Sequence, residues 1–398
     1  MTEILLTIFF ISVLLIFLGS GIWVAISMVG VSSIGMMLFT TRPVGDAMAT
    51  TIWGASSSWT LTALPLFVWM GEILFRTKLS ENLFEGLSPW MQKLPGGLVH
   101  VNVVGCALFA AISGSSAATV ATVGKMSIPE LRKRKYPESI LLGSLAGSGT
   151  LGLLIPPSII LIIYGVTVQE SIAKLFIAGI VPGIMIALIF MTYVMIWSLI
   201  NKKSMPTFKQ DFSLMEKVRK SGKLIPVILL IVSVIGSIYT GIATATEAAS
   251  LGVVGALILS YFQKSLSLRT FKESLLGATK TSCMIAFILA GATFLSLAMG
   301  FTGLPRNLAL WIEGMELSPY VLIFVLMIFY IILGMFLDGI SAVVLTMAII
   351  EPMIRQAGFD MIWFGVFLVI VVEMAQITPP VGFNLFVLQG MANKDMGY

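Results

Sequence analysis

The sequence contains few charged residues. Asp, Glu, Lys and Arg make up 11% of its 398 residues, whereas a soluble domain carries about 25%. Hydrophobic residues make up 58%, and the mean hydropathy is +1.01. Nearly uncharged runs of about 18 residues or more, the length typical of membrane-spanning helices, recur along the chain. The composition therefore argues against a soluble globular protein and predicts an all-α polytopic membrane protein within the lipid bilayer.

Cysteine and histidine are also scarce, which limits the possible chemistry. Cys106 and Cys283 lie in separate apolar stretches, so they predict neither a disulfide framework nor a metal site. For His100, the single histidine, we expect a structural role rather than a proton relay. The sequence has no Ser/His or Asp/Asp pair at clear helical spacing, so an intramembrane enzyme is disfavoured. The basic residues behind the net charge of +5 sit in short segments between apolar runs, which indicates membrane topology rather than nucleic-acid binding.

Four apolar regions are interrupted by Gly, Ser, Asp or Pro. They are residues 110–120 (AAISGSSAATV), 149–158 (GTLGLLIPPS), 335–346 (MFLDGISAVVLT) and 377–384 (ITPPVGFN). The first two match the last two at a spacing of about 224 residues, as Ser116 and Ser341 illustrate. This is an internal repeat that is too long for a solenoid unit. Paired interruptions in two halves of a membrane protein point to a transporter binding site near the bilayer midplane.

The interruptions predict an inverted repeat. Residues 95–126 and 319–354 each contain two apolar arms that are too short to cross the bilayer, since a crossing takes about 20 residues. We therefore predict two re-entrant helical hairpins, each followed by a broken helix, at 139–167 and 361–388. Most Lys and Arg residues fall in segments 76–93, 125–135, 201–223 and 264–280, which the positive-inside rule places in the cytoplasm. The two hairpins then enter the membrane from opposite sides.

This pattern divides the chain into five parts. Scaffold helices with an amphipathic surface arm helix occupy 1–94, with a polar connection at 40–58, and the first hairpin and broken helix occupy 95–173. A connecting helix and a cytoplasmic linker occupy 174–223. A second scaffold with its own arm helix, at 264–280, occupies 224–318, and the second hairpin and broken helix occupy 319–398. We expect the hairpins and broken helices to form the transport domain of an elevator-type transporter.

The helix breaks carry the candidate chemistry. Irregular backbone at membrane depth is tolerated only where it is buried in protein or lines a wet cavity. The freed N–H groups favour an anion, and the freed C=O groups with nearby hydroxyls suit a hard cation. The candidates are Ser113, Ser115, Ser116, Gly149 and Gly152 in the first half and Asp338, Gly339, Ser341, Thr378 and Gly382 in the second. Two sodium sites with an organic anion between them are predicted.

Acidic residues inside apolar segments need separate consideration. An acidic side chain at membrane depth suggests function by default, so Asp338 is a candidate for cation binding or gating. The alternative is that Asp338 only caps a helix starting at Ile340. For Glu72 and Glu373 we expect pairing or an interfacial position.

Six motifs, in order along essentially the whole chain, resemble the large membrane subunit of tripartite ATP-independent periplasmic (TRAP) transporters. They are SGSSAAT, LLIPPS, KLFIAGIVPG, TEAAS, LDGISAVVLT and ITPPVGFNLFV. The resemblance implies a multi-pass importer in the bacterial inner membrane that carries an organic acid, such as sialic acid or a C4-dicarboxylate, with at least two sodium ions. It also implies a small four-helix membrane subunit, a periplasmic binding protein and no nucleic-acid partner. The alternative is a stand-alone sodium/carboxylate symporter.

The resemblance also assigns residues to the sites. The first sodium site is predicted at Ser113, Ser116, Gly149, Gly152 and Pro156, and the second at Asp338, Gly339, Thr378, Pro379 and Gly382. Substrate contacts are predicted at Ser115, Ser116, Asp338, Gly339, Pro157, Pro380 and Asn384. The chain departs from the family pattern at Ala245, where proline is usual, and at Ala348 and Glu351, where proline and an apolar residue are common. It ends at Tyr398, where the family usually has one more apolar helix.

Overall fold

The computed structural model describes residues 3–77, 79–206, 212–303, 305, 307, 310, 314, 318–379 and 382–392. Within these residues the regular structure is entirely helical, which confirms the predicted all-α class. The first half contains α1 (Glu3–Gly19), α2 (Val24–Phe39), α3 (Val44–Ser56), α4 (Ala63–Phe75), α5 (Leu79–Met91), α6 (Val99–Ser113), α7 (Ser116–Lys133), α8 (Glu138–Gly149), α9 (Leu151–Leu154), α10 (Ile159–Thr167) and α11 (Ile172–Ile200). The second half contains α12 (Leu214–Ser221), α13 (Ile225–Tyr239), α14 (Ala245–Phe262), α15 (Leu268–Thr302), α16 (Pro319–Gly334), α17 (Gly339–Gln356), α18 (Met361–Ala375) and α19 (Phe383–Ala392).

Several helices have the length and apolar character of membrane spans. In the described part of the chain, α11, α14, α15 and α17 could each cross a membrane alone. For α17 this corrects the prediction that both arms of the second hairpin are too short, because the helix starts at Gly339 and continues past Pro352 to Gln356. Three bent helix pairs raise the number of possible spans to seven, and they bend by 53° (α3–α4), 40° (α8/α9–α10) and 57° (α12–α13). Apolar side chains on α11 such as Val181 and Leu188 are exposed, which in this chain indicates a face turned toward lipid.

The helices pack as two groups. The outer helices, α2, α4, α13, α14 and α15, contact one another closely. A β-carbon built on Gly291 of α15 would lie 2.8 Å from the carbonyl oxygen of Ala25 in α2, so the backbones of these two helices nearly touch. The inner helices, α6 to α10 and α16 to α19, pack against one another, and α11 lies against α6, α9 and α18. The inner helices contain all four predicted breaks.

Two connections differ from the prediction. The polar connection at 40–58 contains a helix, Val44–Ser56, which follows Pro43 and carries Asp46 in its first turn. The acidic residue favours a helix start, because the positive end of the helix dipole stabilises a negative charge there.

The predicted second arm helix, 264–280, is not separate from the span that follows it. Both lie in the 35-residue α15, since no proline or left-handed glycine divides them. In the first half, by contrast, Gly96 and Gly97 adopt positive φ between α5 and α6, so the first arm is a helix of its own.

Candidate ion and substrate site at the helix breaks

The tip of the first helix pair, α6–α7, is a tight turn rich in hydroxyl groups. Gly114 has a left-handed φ of +58°, which ends α6 at little steric cost. Ser115 then caps α7, because its Oγ accepts a hydrogen bond from the N–H of Ala118. The hydroxyl oxygens of Ser113 and Thr119 lie 2.9 Å apart. The predicted break at this position is therefore confirmed, and it concentrates oxygen atoms within a few residues.

The first broken helix is interrupted by two prolines. Pro156 and Pro157 separate α9 from α10, and neither can donate a backbone hydrogen bond. Ser158 restarts the helix, with its Oγ accepting from the N–H of Leu161 at 3.3 Å and donating to the carbonyl of Leu153. Proline thus stops the helix and serine begins the next segment, as the LLIPPS motif predicts.

The first tip docks into this break. The N–H of Ile159 donates to the carbonyl of Gly114 at 3.3 Å. A β-carbon on Gly114 would lie 2.7 Å from the carbonyl oxygen of Pro157, and one on Gly152 would lie 2.6 Å from the carbonyl oxygen of Ser115. Both contacts are with backbone atoms, which cannot swing aside, so only glycine permits this approach.

Four of the five residues predicted for the first sodium site meet at this contact. Ser113 and Ser116 lie at the tip, and the backbone of Ser116 packs against Gly149 and Gly152 of the broken helix. Pro156 differs, because its ring lies beside Gly179 of α11. These positions offer backbone and hydroxyl oxygens, which are the donors that a hard cation prefers.

The tip of the second helix pair, α16–α17, is built around a carboxylate. Asp338 is the N-cap of α17, and its Oδ2 accepts a hydrogen bond from the N–H of Ser341 at 3.1 Å. The helix begins at Gly339, one residue before the predicted start. Asp338 is half-buried. The capping role is therefore observed, and a role in cation binding stays a prediction.

The second broken helix is interrupted between Ala375 and Phe383. The hydroxyl of Thr378 donates to the carbonyl of Met374 at 2.7 Å. Gly382 adopts a positive φ of 56° and its α-carbon faces the carbonyl of Thr378, since a β-carbon there would lie 3.4 Å from that oxygen. Pro379 is exposed. Pro380, a predicted substrate contact, lies outside the described residues.

The two tips converge on α18, the first arm of this second broken helix. The hydroxyl of Ser116 lies 3.3 Å from Glu373 Oε1 and 3.2 Å from Gln376 Oε1. A β-carbon on Gly339, at the second tip, would lie 2.5 Å from Gln376 Nε2 and 3.4 Å from Ile160 Cδ1 of α10. Both tips and both broken helices thus meet around Glu373 and Gln376.

Glu373 and Gln376 are the functional candidates that sequence reasoning missed. We expected Glu373 to be paired or interfacial, yet it is 3% exposed and contacts a serine from the opposite half of the chain. Gln376 is equally buried. The available signal was their spacing of three residues at the end of α18, immediately before the ITPPVG break, in a run that carries no other charge.

Several buried polar atoms at these breaks lack hydrogen-bond partners. Among the described residues they include Glu373 Oε2, the hydroxyl of Ser341, and both side-chain polar atoms of Asn384. The N–H of Asn384 donates to the carbonyl of Gln376 at 3.2 Å, so this predicted substrate contact adjoins the convergence point. Buried oxygen atoms without partners fit a region that binds an ion or a polar ligand.

A cavity among the described residues lies away from these breaks. It has a volume of about 650 Å³ and separates the outer helices from the inner ones. Its walls include Thr60, Thr293 and Ser296 from the outer side and Glu170, Met347 and Glu351 from the inner side. None of the described residues that were predicted for the ion or substrate sites lines it. The chemistry of the breaks, rather than the size of this cavity, therefore defines the candidate site.

Comparison with known proteins identifies the family. The family described as tripartite ATP-independent periplasmic transporter, DctM component, matches residues 10–397. The chain belongs to this family. The C4-dicarboxylate TRAP transporter large permease protein DctM of Pseudomonas aeruginosa is 33% identical over 363 residues, which cover 91% of this chain and 84% of that protein. The 2,3-diketo-L-gulonate TRAP transporter large permease protein YiaN of Escherichia coli is 32% identical, with 87% and 81% covered.

Other relatives extend this picture. The isethionate TRAP transporter permease protein DctMQ of Oleidesulfovibrio alaskensis is 31% identical over 95% of this chain and 59% of its own length. The crystal structure of the Alcanivorax borkumensis YdaH transporter superposes with a TM-score of 0.65 at 12% identity, covering 96% of this chain and 92% of that one. At that identity the likeness concerns the fold alone.

Family membership confirms the resemblance drawn from the motifs. The chain is the large membrane subunit of a TRAP transporter: a multi-pass transport protein rather than an enzyme, which works with a small membrane subunit and a periplasmic binding protein.

Proposed function

We propose that this subunit carries an organic acid across the bacterial inner membrane, driven by sodium ions, through an elevator movement of its inner helices. The observation that carries the proposal is the meeting of both helix-pair tips at α18. Two oxygen-rich breaks from opposite halves then share one buried polar centre, an arrangement suited to coupling cation binding to substrate binding.

The donor chemistry supports sodium as the coupling ion. The first proposed sodium site uses Ser113, Ser116, Gly149, Gly152 and Pro156, and the second uses Asp338, Gly339, Thr378, Pro379 and Gly382. Their side chains and backbones offer oxygen atoms, which hard cations favour. The described residues contain no cluster of three or more His, Cys, Asp or Glu side chains suited to a metal ion, so the breaks are better matched to a weakly bound alkali cation than to a tightly held transition metal.

The substrate class follows from helix starts and from relatives. The helices α7 and α10 start with the uncharged caps Ser115 and Ser158 and have no acidic residue in the first turn. The backbone N–H groups at these starts therefore favour an anion. The start of α17 carries Asp338, whose negative charge is better matched to a cation. C4-dicarboxylate, 2,3-diketo-L-gulonate and isethionate, named for three relatives, are all small organic anions. We propose a carboxylate of this kind, with C4-dicarboxylate or sialic acid as candidates.

The elevator proposal rests on how the helices divide. Each tip lies where the two arms of a helix pair meet, and both tips contact broken helices. The inner helices are therefore proposed to move as one body against the outer ones. The cavity of about 650 Å³ between the two groups supports this division, because the inner and outer helices are not tightly packed against each other there.

The partners are proposed as a small membrane subunit with four helices and a periplasmic protein that delivers the substrate. The alternative, a stand-alone symporter, shares the ion chemistry but needs no delivery protein. Uptake of labelled succinate into proteoliposomes, with and without the binding protein, separates the two. Uptake that is equally fast without the binding protein would favour the stand-alone symporter.

The same proteoliposomes test the coupling ion. We expect succinate or sialic acid to accumulate under an inward sodium gradient, with more than one sodium ion per substrate. Undiminished uptake in a proton gradient without sodium would contradict the proposal.

A further inference from the structure

At the contact between the first tip and α18, the hydrogen-bond acceptors outnumber the protons that can be donated to them. A serine hydroxyl carries one proton, and ionised Glu and the amide oxygen of Gln can only accept. Yet Ser116 Oγ faces two acceptor oxygens, Glu373 Oε1 at 3.3 Å and Gln376 Oε1 at 3.2 Å. One hydroxyl cannot donate to both at full strength, so at least one acceptor lacks a proper donor.

The distances point to a different kind of contact. Hydrogen bonds between a hydroxyl and an oxygen are usually about 2.7–2.8 Å long, and both contacts of Ser116 exceed this. Two oxygens that bind one cation at about 2.4 Å, roughly at right angles, lie about 3.4 Å apart. The two distances from Ser116 Oγ therefore fit neighbouring ligand positions around a bound cation better than two hydrogen bonds.

Charge leads to the same conclusion. Six other glutamates in the described part of the chain lie within ion-pair distance of a lysine or arginine: Glu72, Glu85, Glu130, Glu138, Glu273 and Glu351. Glu373 forms no such pair among the described residues, although it is 3% exposed and its Oε2 has no hydrogen-bond partner. A buried carboxylate without a counter-charge is strongly disfavoured, and a bound cation would remove that cost.

We propose that Glu373, with Ser116 Oγ and Gln376 Oε1, binds a further sodium ion. This site is distinct from the first proposed sodium site, because the backbone of Ser116 faces Gly149 and Gly152 whereas its hydroxyl faces α18. The ion neutralises Glu373 and joins the first tip to α18. Since Gln376 also abuts Gly339, filling the site fixes the second tip as well. The inference rests on the proposed sodium-driven transport and adds a charged ligand to it.

Equilibrium binding of radioactive sodium tests the site. The full chain, purified with its small membrane subunit, is titrated at pH 8 without substrate. Glu373→Gln keeps the shape of the side chain and removes its charge, so we expect one fewer sodium ion per chain than in the unaltered protein. Glu72→Gln is the matched control, since the carboxylate of Glu72 pairs with Arg76 at 3.1 Å and packs against Gly277 of α15. Its sodium stoichiometry should not change.

A second variant does not depend on how well Glu373→Gln folds. Gln376→Met keeps a long side chain but removes the oxygen ligand, and we expect the sodium concentration for half-saturation of this site to rise roughly tenfold or more. Unchanged stoichiometry in Glu373→Gln, or unchanged half-saturation in Gln376→Met, would overturn the proposal and assign a protonated carboxyl instead. Absence of sodium binding in the unaltered protein would instead overturn the proposed sodium coupling as a whole.

Discussion

The two helix-pair tips occupy equivalent places in the repeat but differ in chemistry. The first is neutral, with Ser115 as its helix cap, and it is locked into the Pro156–Pro157 break by backbone contacts at Gly114 and Gly152. The second carries the charge of Asp338 as its cap and is half-buried. The repeat has therefore preserved the position of the break and the glycine beside it, while the capping residue has diverged. The start of α7 therefore carries an uncharged cap, whereas the start of α17 carries a carboxylate.

The largest expected effect is the difference in cysteine labelling between the two sides of the membrane, which tests whether the two halves are inverted. In a chain with Cys106 and Cys283 replaced by serine, a single cysteine at Arg355 should react fully with a membrane-impermeant reagent added from the periplasm. A cysteine at Lys220 should react with the reagent only after the membrane has been permeabilised. Labelling of both positions from the periplasm would show that the two halves are not inverted.

The next effect concerns the tight fit of the first tip. Gly152→Val places a side chain against the backbone of Ser115 and Ser116, so we expect uptake to be lost and the free energy of unfolding to fall by about 1–3 kcal/mol. Gly143→Val on α8 is the matched control, because a β-carbon there would meet nothing within 4 Å. Transport and thermal unfolding are measured on both variants, and only Gly152→Val should be impaired. Normal uptake by Gly152→Val would mean that the tip is not held in the break.

A smaller effect separates the two roles of Asp338. Asparagine caps helices about as well as aspartate, so Asp338→Asn keeps the cap and removes the charge. If Asp338 binds a cation, we expect the sodium concentration for half-maximal uptake to rise roughly tenfold. Asp338→Ala, which removes both functions, should in addition lower the free energy of unfolding by about 1 kcal/mol. Sodium dependence unchanged in Asp338→Asn would leave only the capping role.

The smallest effect is expected at Thr378. Its hydroxyl donates to the carbonyl of Met374 within its own helix end, so only a lone pair of the oxygen remains for an ion. Thr378→Ala should raise the half-maximal sodium concentration about two- to threefold, which corresponds to about 0.5 kcal/mol. Thr378→Ser, which retains the hydroxyl, is the control and should behave like the unaltered protein. If Thr378→Ala raised the half-maximal sodium concentration as much as Asp338→Asn does, the two residues would contribute equally to sodium binding.

The sequence alone predicted the features that depend on local chemistry. The interruptions at 110–120 and 149–158 and the possible cap at Asp338 follow from Gly, Pro, Ser and Asp in the sequence. The cap at Ser115 and the short helix Leu151–Leu154 inside the second interruption were not predicted. The internal repeat then indicated which breaks correspond, and the structure confirms that helices end at these positions.

Features that depend on packing between distant segments could not be predicted. Glu373 and Ser116 are separated by 257 positions, and the repeat pairs each with a different partner, so no local pattern brings them together. The continuity of α15 was missed for a related reason. A polar segment followed by an apolar one is interpreted from sequence as two helices, because the sequence does not show that both share one helical axis.

That continuity has a mechanical consequence. At 1.5 Å per residue, the 35 residues of α15 extend about 52 Å, well beyond the hydrocarbon core of about 30 Å. Near its start, the carbonyl of Glu273 accepts from Arg76, and Ser274 accepts from the indole of Trp69. Further along, Leu289, Ala292 and Ser296 line the large cavity. A single helix therefore joins the polar contacts near its start to the cavity between the outer and inner helices. In the proposed elevator movement, α15 would be the long fixed helix along which the inner helices slide.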